Sequence, residues 1–356
     1  MSSFPCSSCG ADLEFKPGTE HLECPYCGTL NHIEVLQEEI EELDYRTFLQ
    51  EATDVEGATE ERLTVNCGTC GGVTCLGENV TADKCEFCGS RIVAQAKSIK
   101  AIKPRSLLPF KVTRQQATES FRSWIKGLWF APNALKKLAK IHEGIQGVYC
   151  PFWTYDCETT TRYQGQRGEY YYEDQTYTAT EDGRQVTKTR RVKKTRWYPA
   201  SGTVQVTFDD VLVLGTRSLP EKHTDELEPW NLEDLVPYND QYLSGFKVQS
   251  YNVNLEEGFG EAQKKMDPVI RESIHHDIGG DTQRISSMDV SWYDITFKHV
   301  LLPVWISAYR YNGTVYRFLV NARTGEVQGE RPWSWPKIAF TVLTVLAFIM
   351  FFVYGR

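Results

Sequence analysis

Residues 6–28 read CSSCGADLEFKPGTEHLECPYCG, and residues 67–89 read CGTCGGVTCLGENVTADKCEFCG. Cys6, Cys9, Cys24 and Cys27 follow the pattern C-x2-C-x14-C-x2-C, and Cys67, Cys70, Cys85 and Cys88 repeat it 61 residues on, without a gap. Two residues between cysteines make a tight knuckle that aims two thiolates at one ion and leaves backbone N–H groups to bond the sulfurs. Gly10, Gly28, Gly71 and Gly89 each follow a ligand. Each can take the positive φ that ends such a knuckle. Two facing knuckles form a closed tetrahedral four-sulfur site of the structural kind. The energetics agree, because a segment below about 40 residues usually needs a metal or disulfide to fold. A structural zinc contributes on the order of 10–16 kcal/mol. The spacing therefore predicts two zinc ribbons, each with one structural Zn2+; iron in a rubredoxin-like site satisfies the same thiolates. Cys75 aligns with Glu14 of the first ribbon and reads as a strand residue.

The chain has 356 residues, a formal net charge of −8 and 41% hydrophobic residues. Its mean hydropathy is −0.41. That is enough apolar material for a real core in a mostly soluble chain. The opening MSSFPCSSCG has neither a basic start nor an apolar run, so the N-terminus is expected to stay in the cytoplasm. Eight of the eleven cysteines fall in CxxC pairs, which points to metal and not to disulfides.

Charge weighs against nucleic acid as the ribbons' partner. Residues 1–97 hold 18 acidic and 6 basic residues, a balance of −12, and phosphate contacts need Lys and Arg. Docking to proteins suits such a head better. Between the ribbons, EVLQEEIEELDYRTFLQEA places Val35, Leu36, Ile40, Leu43 and Phe48 near helical spacing with a Glu-rich opposite face. This predicts an acidic helical linker, either a solvated spacer or a surface offered to a partner.

The other terminus reads SWPKIAFTVLTVLAFIMFFVYGR, with no charge from Ile338 to Tyr354. As a helix those residues span about 25 Å, near the lower limit for a bilayer core of ~30 Å. Trp333 and Trp335 before the run and Tyr354 at its end resemble an interfacial aromatic belt. A tail-anchored, single-pass cell-membrane protein with its bulk in the cytoplasm is expected. Arg323, Arg331 and Lys337 would then lie on the cytoplasmic side.

The middle of the chain reads as α+β. Thr113 with Gln116 three residues on opens a helix, and Ala117, Phe121, Trp124, Ile125 and Leu128 form its apolar stripe. NALKKLAKIHEG follows as a second helical stretch. Three stretches rich in Tyr, Thr and Val then alternate as half-buried antiparallel strands, with a turn at Glu181–Arg184. LLPF at 107–110 is echoed by LVPY at 235–238, and Pro151 and Trp153 by Pro303 and Trp305. Two similar lobes, each a helix on an antiparallel sheet, are expected. The predicted organisation is ribbon 1 at 1–33, linker 34–61, ribbon 2 at 62–97, lobes at 98–206 and 207–334, and a transmembrane helix at 337–354.

One stretch is strongly basic: Arg184, Lys188, Arg190, Arg191, Lys193, Lys194 and Arg196, with no acid among them. It reads as a solvated face, as a hairpin pressed on anionic headgroups, where each base is worth about 1 kcal/mol, or as a dock for an acidic segment. Residues 98–356 balance at +4. An acidic outer end and a basic membrane end are expected.

No catalytic motif stands out. There is no G-x4-G-K-[ST] phosphate loop, no HExxH and no GxSxG. Adjacent His275 and His276 on a helix point apart, and Cys150 and Cys157 fall on opposite strand faces. A non-catalytic protein is expected.

With its paired ribbons, the PFWTYD strand at 151–156, the LPVW strand at 302–305 and the terminal apolar run, the chain resembles the bacterial membrane-anchored zinc-ribbon proteins of YdjG type. Their ribbons are TFIIB-type, and relatives are often labelled primosomal protein N′-like or helicase-like. The missing phosphate loop speaks against the helicase label. The resemblance implies four-cysteine zinc sites at Cys6, Cys9, Cys24, Cys27 and at Cys67, Cys70, Cys85, Cys88. It implies a membrane-tethered adaptor with PspA-like or flotillin-like envelope-stress partners. The single terminal span departs from the family pattern.

Overall fold

The structure, a computed structural model, describes residues 4–33, 40–51, 59–68, 73–75, 82–85, 90–93, 97–138, 144–181, 184–311 and 314–354. The alternation in ADLEF becomes a half-buried strand, with Leu13 and Phe15 inward and Glu14 outward. Strands β1 (Glu14–Phe15), β2 (His21–Glu23) and β3 (Leu30–His32) form the antiparallel sheet of the first ribbon. In the second ribbon region, β5 (Thr59–Asn66) pairs with β6 (Val73–Cys75) and β9 (Lys97–Ile102). There β7 (Ala82–Lys84) pairs with β8 (Arg91–Val93).

The acidic linker differs from the expected helix. Its described part is a short strand, β4 (Leu43–Asp44), followed by α1 (Tyr45–Glu51). Asp44 caps that helix by accepting from the Thr47 N–H at 2.7 Å. Phe48 is buried edge-on against Phe297 at 5.1 Å, with Leu43, Tyr45 and Leu49 around it. These apolar side chains outweigh the Glu-rich face, so the segment is docked on the domain and does not stand in solvent. Residues 34–39 and 52–58 lie outside the described residues.

The main domain runs β10 (Ser106–Leu107), α2 (Arg114–Gly127), α3 (Asn133–Leu138), β11 (Gln146–Glu181), β12 (Arg184–Leu214), α4 (Glu221–Asp225), β13 (Val236–Pro237), β14 (Lys247–Val248), α5 (Leu255–Ile278), β15 (Thr282–Tyr311), β16 (Thr314–Asn321) and β17 (Val327–Gly329), and then α6 (Trp335–Tyr354). Among the described residues these strands and β4 form one nine-stranded mixed sheet, ordered β12-β11-β15-β10-β13 along its main path. It is antiparallel except where the two-residue strands β10 and β14 lie parallel to β15 and β11. The capping box of α2 forms as expected: the Thr113 hydroxyl accepts from the Gln116 N–H at 3.3 Å, and the Gln116 carbonyl oxygen accepts from the Thr113 N–H at 2.8 Å. Ala117, Phe121 and Ile125 are buried.

The expected pair of lobes is instead one interlocked unit. Strand β11 pairs with β15 from Gln146↔Ile306 to Gly168↔Thr282, so both halves share one sheet. Their helices are exchanged. Phe121 of α2 stacks on Phe318 of β16 at 3.6 Å, in the second half. Helix α5 lies along β11 and β12, in the first half. The contacts that lock this exchange come in matched pairs. Trp153 Nε1 donates to Val253 O at 3.0 Å, and Trp305 Nε1 to Val112 O at 2.8 Å. Each acceptor immediately precedes a helix N-cap, Asn254 or Thr113, in the opposite half. Tyr251 meets Trp153 edge-on at 5.0 Å, and Phe110 meets Trp305 edge-on at 5.1 Å. Gly215 N donates to Pro151 O, and Ala322 N to Pro303 O. At the centre, Cys150 pairs with Leu302. By these contacts the counterpart of Leu107–Phe110 is Val248–Tyr251. The LVPY segment that echoes it in sequence is its antiparallel neighbour, Ser106↔Pro237 and Leu107↔Val236.

Helix α5 buries Leu255, Phe259, Ala262, Met266, Ile270, Ile274 and Ile278, a stripe at i,i+4 spacing. It follows β11 from Tyr155, whose hydroxyl donates to Leu255 O at 2.8 Å, to Tyr163, whose hydroxyl donates to Asp277. The approach is close at Gly258, where a Cβ would sit 2.4 Å from Tyr155 Oη and 2.9 Å from Trp153 Cδ1. Both rings are fully buried and cannot move aside. Alanine gains about 1 kcal/mol of helix propensity over glycine, but overpacking costs about 1–3 kcal/mol. Gly258→Ala is therefore expected to lower stability, read as a drop in thermal midpoint with unchanged metal content; an unchanged or raised midpoint would contradict the packing described.

Candidate metal centre and interaction surfaces

In the first ribbon the sulfurs of Cys6, Cys9, Cys24 and Cys27 all lie within 4.8 Å of one another. Cys6 Sγ is 3.7 Å from Cys27 Sγ, and Cys9 Sγ is 3.5 Å from Cys24 Sγ. At zinc–sulfur distances of about 2.3 Å, a tetrahedral site spaces its sulfurs about 3.8 Å apart. The four residues fit a metal ion. The knuckles are built as their sequence requires: Gly10 and Gly28 both have φ +74°, Gly10 N donates to Cys6 O, and Gly28 N to Cys24 O. The Ser8 N–H points at Cys6 Sγ at 3.4 Å. Hydrogen bonds from the Thr29 hydroxyl and backbone pull the Cys27 thiol down to about 6. A backbone N–H from Ser8 likewise lowers Cys6. Cys9 is raised to about 12: a bond from the Ala11 backbone opposes the shift, and thiols Cys24 and Cys27 drive it. Without an ion, Cys6, Cys9 and Cys27 therefore hold their protons unequally. An ion would make all four thiolates.

In the second set, Cys67 and Cys85 are buried, and Cys85 N donates to Ser90 O at 2.8 Å as Cys24 N does to Thr29 O at 2.9 Å. Cys70, Cys88, Gly71 and Gly89 lie outside the described residues. Cys75 is a strand residue of β6, as expected. Cys150 and Cys157 are buried in separate clusters, Cys157 against Met266.

The first ribbon is fastened to the domain. Phe15 N donates to Ser244 O, Gly18 N to Phe110 O, and the Ser244 hydroxyl to Leu13 O. Phe15 sits edge-on to Tyr242 at 5.2 Å. Leu13, Phe15, Leu22 and Ile33 share one core with Phe110, Phe121 and Tyr149. Its outward side carries Tyr26, 83% exposed, and Leu30, 50% exposed.

The seven bases of residues 184–196 lie on a two-stranded arm. Beyond Gly168 strand β11 loses β15 and pairs with β12 alone, from Glu169↔Arg196 to Glu181↔Arg184. That is about 40 Å of ribbon at 3.3 Å per residue. Cross-strand register puts Arg184, Lys188, Arg190, Lys194 and Arg196 on one face, and Arg191 and Lys193 on the other. Tyrosines interleave with them: Lys193 lies over Tyr170 at 3.2 Å, Arg191 over Tyr172 at 4.6 Å and Arg196 over Tyr171 at 5.0 Å. Lys194 is paired with Glu173. Charges so placed also guard the open edges of the arm against strand addition.

No residue of Trp335–Val353 in the C-terminal helix α6 is buried, and that stretch has a mean hydropathy of 2.2. It is long and apolar enough to cross a membrane. Lys337 fixes its first turn, donating to Trp129 O at 3.1 Å, Ala131 O at 2.8 Å and Asn133 Oδ1 at 2.8 Å. This turn after α2 sits at the end of the sheet that carries β16 and β17. The arm leaves from the other end, 22 residues along β11 from Gln146. The basic stretch expected at the lipid surface thus projects from the end opposite α6, and the acidic first ribbon sits beside α2, at the same end as α6.

A buried charge cluster carried little sequence signal beyond a lysine inside the apolar run ITFKHVLLPVW. Lys298 is 7% exposed and lies 2.8 Å from Asp210, 2.9 Å from Glu42 and 4.0 Å from Asp156. A bulge opposite Tyr155 and Cys157 turns Asp210 to φ +49° and aims its carboxylate inward. Burial pushes Asp156 from the ordinary 3.8 up to about 7, while hydrogen bonds from Lys298 and Asp156 hold Glu42 below its usual range against burial. Asp156 is the carboxylate farthest from the ammonium.

The site and fold define a mixed α+β protein with antiparallel pairing, a cysteine cluster that can hold a metal ion, and one apolar C-terminal helix. The chain is similar to the uncharacterized protein YdjG of Bacillus subtilis (strain 168), 27% identical over 339 residues that cover 95% of this chain and 92% of the relative. No protein family and no solved structure matches it.

Two outcomes follow from these sites. Cys24→Ser is expected to remove one metal equivalent per chain and, because the ribbon shares the domain's core, to lower the thermal midpoint of the whole domain. An unchanged midpoint after loss of the ion would show the ribbon to be independent. Asp156 binds its proton more tightly folded than unfolded. Its stabilisation is therefore fully present below 3.8 and is lost as pH rises through about 7. Between pH 6 and 8, wild type is expected to lose more stability than Asp156→Asn; parallel profiles would remove the cluster as the cause.

Proposed function

We propose that this chain is a non-catalytic, membrane-tethered adaptor. Two zinc ions, one per ribbon, hold its N-terminal part, α6 spans the cell membrane once, and the bulk lies in the cytoplasm. The observation that carries the reading is the first ribbon itself. Its inner side is committed to the domain core next to the anchored end, while Tyr26 and Leu30 stay exposed, Leu30 across the strand pair from Glu23. An exposed aromatic and an exposed aliphatic residue on a ribbon richer in acids than in bases suit a protein partner better than a phosphate backbone. The resemblance to YdjG-type proteins adds PspA-like or flotillin-like envelope proteins as candidate partners.

A second reading, nucleic-acid binding, is favoured by a different observation, the basic arm with its interleaved tyrosines. A two-stranded ribbon fits a major groove, and Arg and Lys supply the phosphate contacts.

Full-length protein cross-linked in membranes and affinity-captured separates the two. The adaptor predicts a discrete protein partner that is lost with Tyr26→Ala and Leu30→Ala together and kept when Lys188, Arg190 and Lys194 are changed to Glu. Recovery of no protein above background, or recovery insensitive to the ribbon variant, sinks it. The second reading predicts salt-sensitive DNA or RNA binding that the arm variant abolishes.

A further inference from the structure

The turn that follows α2 carries a tryptophan with nothing to do inside the fold. Trp129 is 73% exposed, among the most exposed large apolar residues of the domain. A free tryptophan on a soluble face has no particular height relative to α6, but this one does. Its own carbonyl accepts from Lys337 Nζ at 3.1 Å, and the next residue's carbonyl accepts from the Ser334 N–H at 2.7 Å. Lys337 is the third residue of α6, and the uncharged run begins at Ile338. At 1.5 Å of rise per residue, Trp129 is therefore held within a few ångströms of the level where the apolar segment begins. Two other exposed indoles occupy that level: Trp333, 52% exposed with Arg331 4.5 Å over its ring and Phe130 6.5 Å away, and Trp335, 77% exposed. Indoles prefer the headgroup zone because one edge is apolar and the N–H stays wet. Lysine reaches the same zone with its stem in the apolar layer.

We propose that Trp129, some 200 residues from α6 in sequence, is a second point of contact with the lipid headgroup layer. With Trp333 and Trp335 it forms a three-indole foot that seats the domain on the bilayer. The proposal rests on the reading that α6 crosses a membrane. One contact leaves a domain free to swivel about its helix; the additional indole, on a different element, fixes its tilt. It places the α2 turn at the lipid surface in place of the basic arm.

The test uses full-length wild type and Trp129→Phe reconstituted in phosphatidylcholine–phosphatidylglycerol vesicles. Flotation reports first whether the chain is membrane-bound. The wild-type minus variant emission is then the signal of Trp129 alone. The expected result is loss of that signal on brominating the lipid chains near the headgroups, with little loss to aqueous iodide. Quenching by iodide with indifference to bromolipid, in vesicles that do float the protein, overturns the foot and leaves the span intact. Failure to float overturns both. The side chain is largely solvent-exposed, so the variant is expected to fold; unchanged metal content and circular dichroism verify that.

Discussion

Everything in the main domain depends on two indole hydrogen bonds that cross between its halves. Trp153 and Trp305 each reach over the sheet to the carbonyl just before the opposite half's helix N-cap. Each bond is buried or nearly so, and leaving such an acceptor unpaired costs about 1–3 kcal/mol. Their larger effect is geometric: they set where each helix begins, hence which residues it lays on the sheet. Phe121 over Phe318 and Met266 over Cys157 follow from those starting points. The sheet in turn gives α1 a surface for Phe48, and the segment before β14 gives the first ribbon Tyr242 for Phe15.

The metal ribbon and the apolar helix meet at one end of this frame. The ribbon's core residues merge with those under α2, and the turn after α2 takes hold of Lys337. An ion in the ribbon and a bilayer around α6 would therefore act on the same helix. At the opposite end, among the described residues, the sheet thins to two strands, with basic residues of one lying over tyrosines of the other.

What the sequence made legible was what local rules govern. Knuckle spacing, the positive φ of Gly10 and Gly28, the capping box at Thr113 and the apolar run of α6 all follow from neighbours a few residues apart. Alternation announced strands but could not say that the stretches from Gln146 to Glu181 are one continuous strand. Periodicity gave α2 its buried face without saying which half it would cover, because a stripe of Phe, Ile and Ala fits either. The LVPY echo misled because a neighbouring strand and a counterpart strand can look alike in composition. The acidic linker misled because its many glutamates hid the one phenylalanine whose burial decides its position.

The exchange of helices also sets an order of events during synthesis. The first half emerges with α2 and the long hairpin made, yet it holds neither the sheet that α2 must cover nor the helix that must cover its hairpin. It waits, with Phe121, Trp153 and Tyr155 uncovered, for partners 100 residues or more further along the chain. Long-range pairings of this kind close late and leave greasy surface open meanwhile. A nascent chain built this way keeps that surface open until β16 has been made, and residues 322–334 alone then separate closure of the domain from α6.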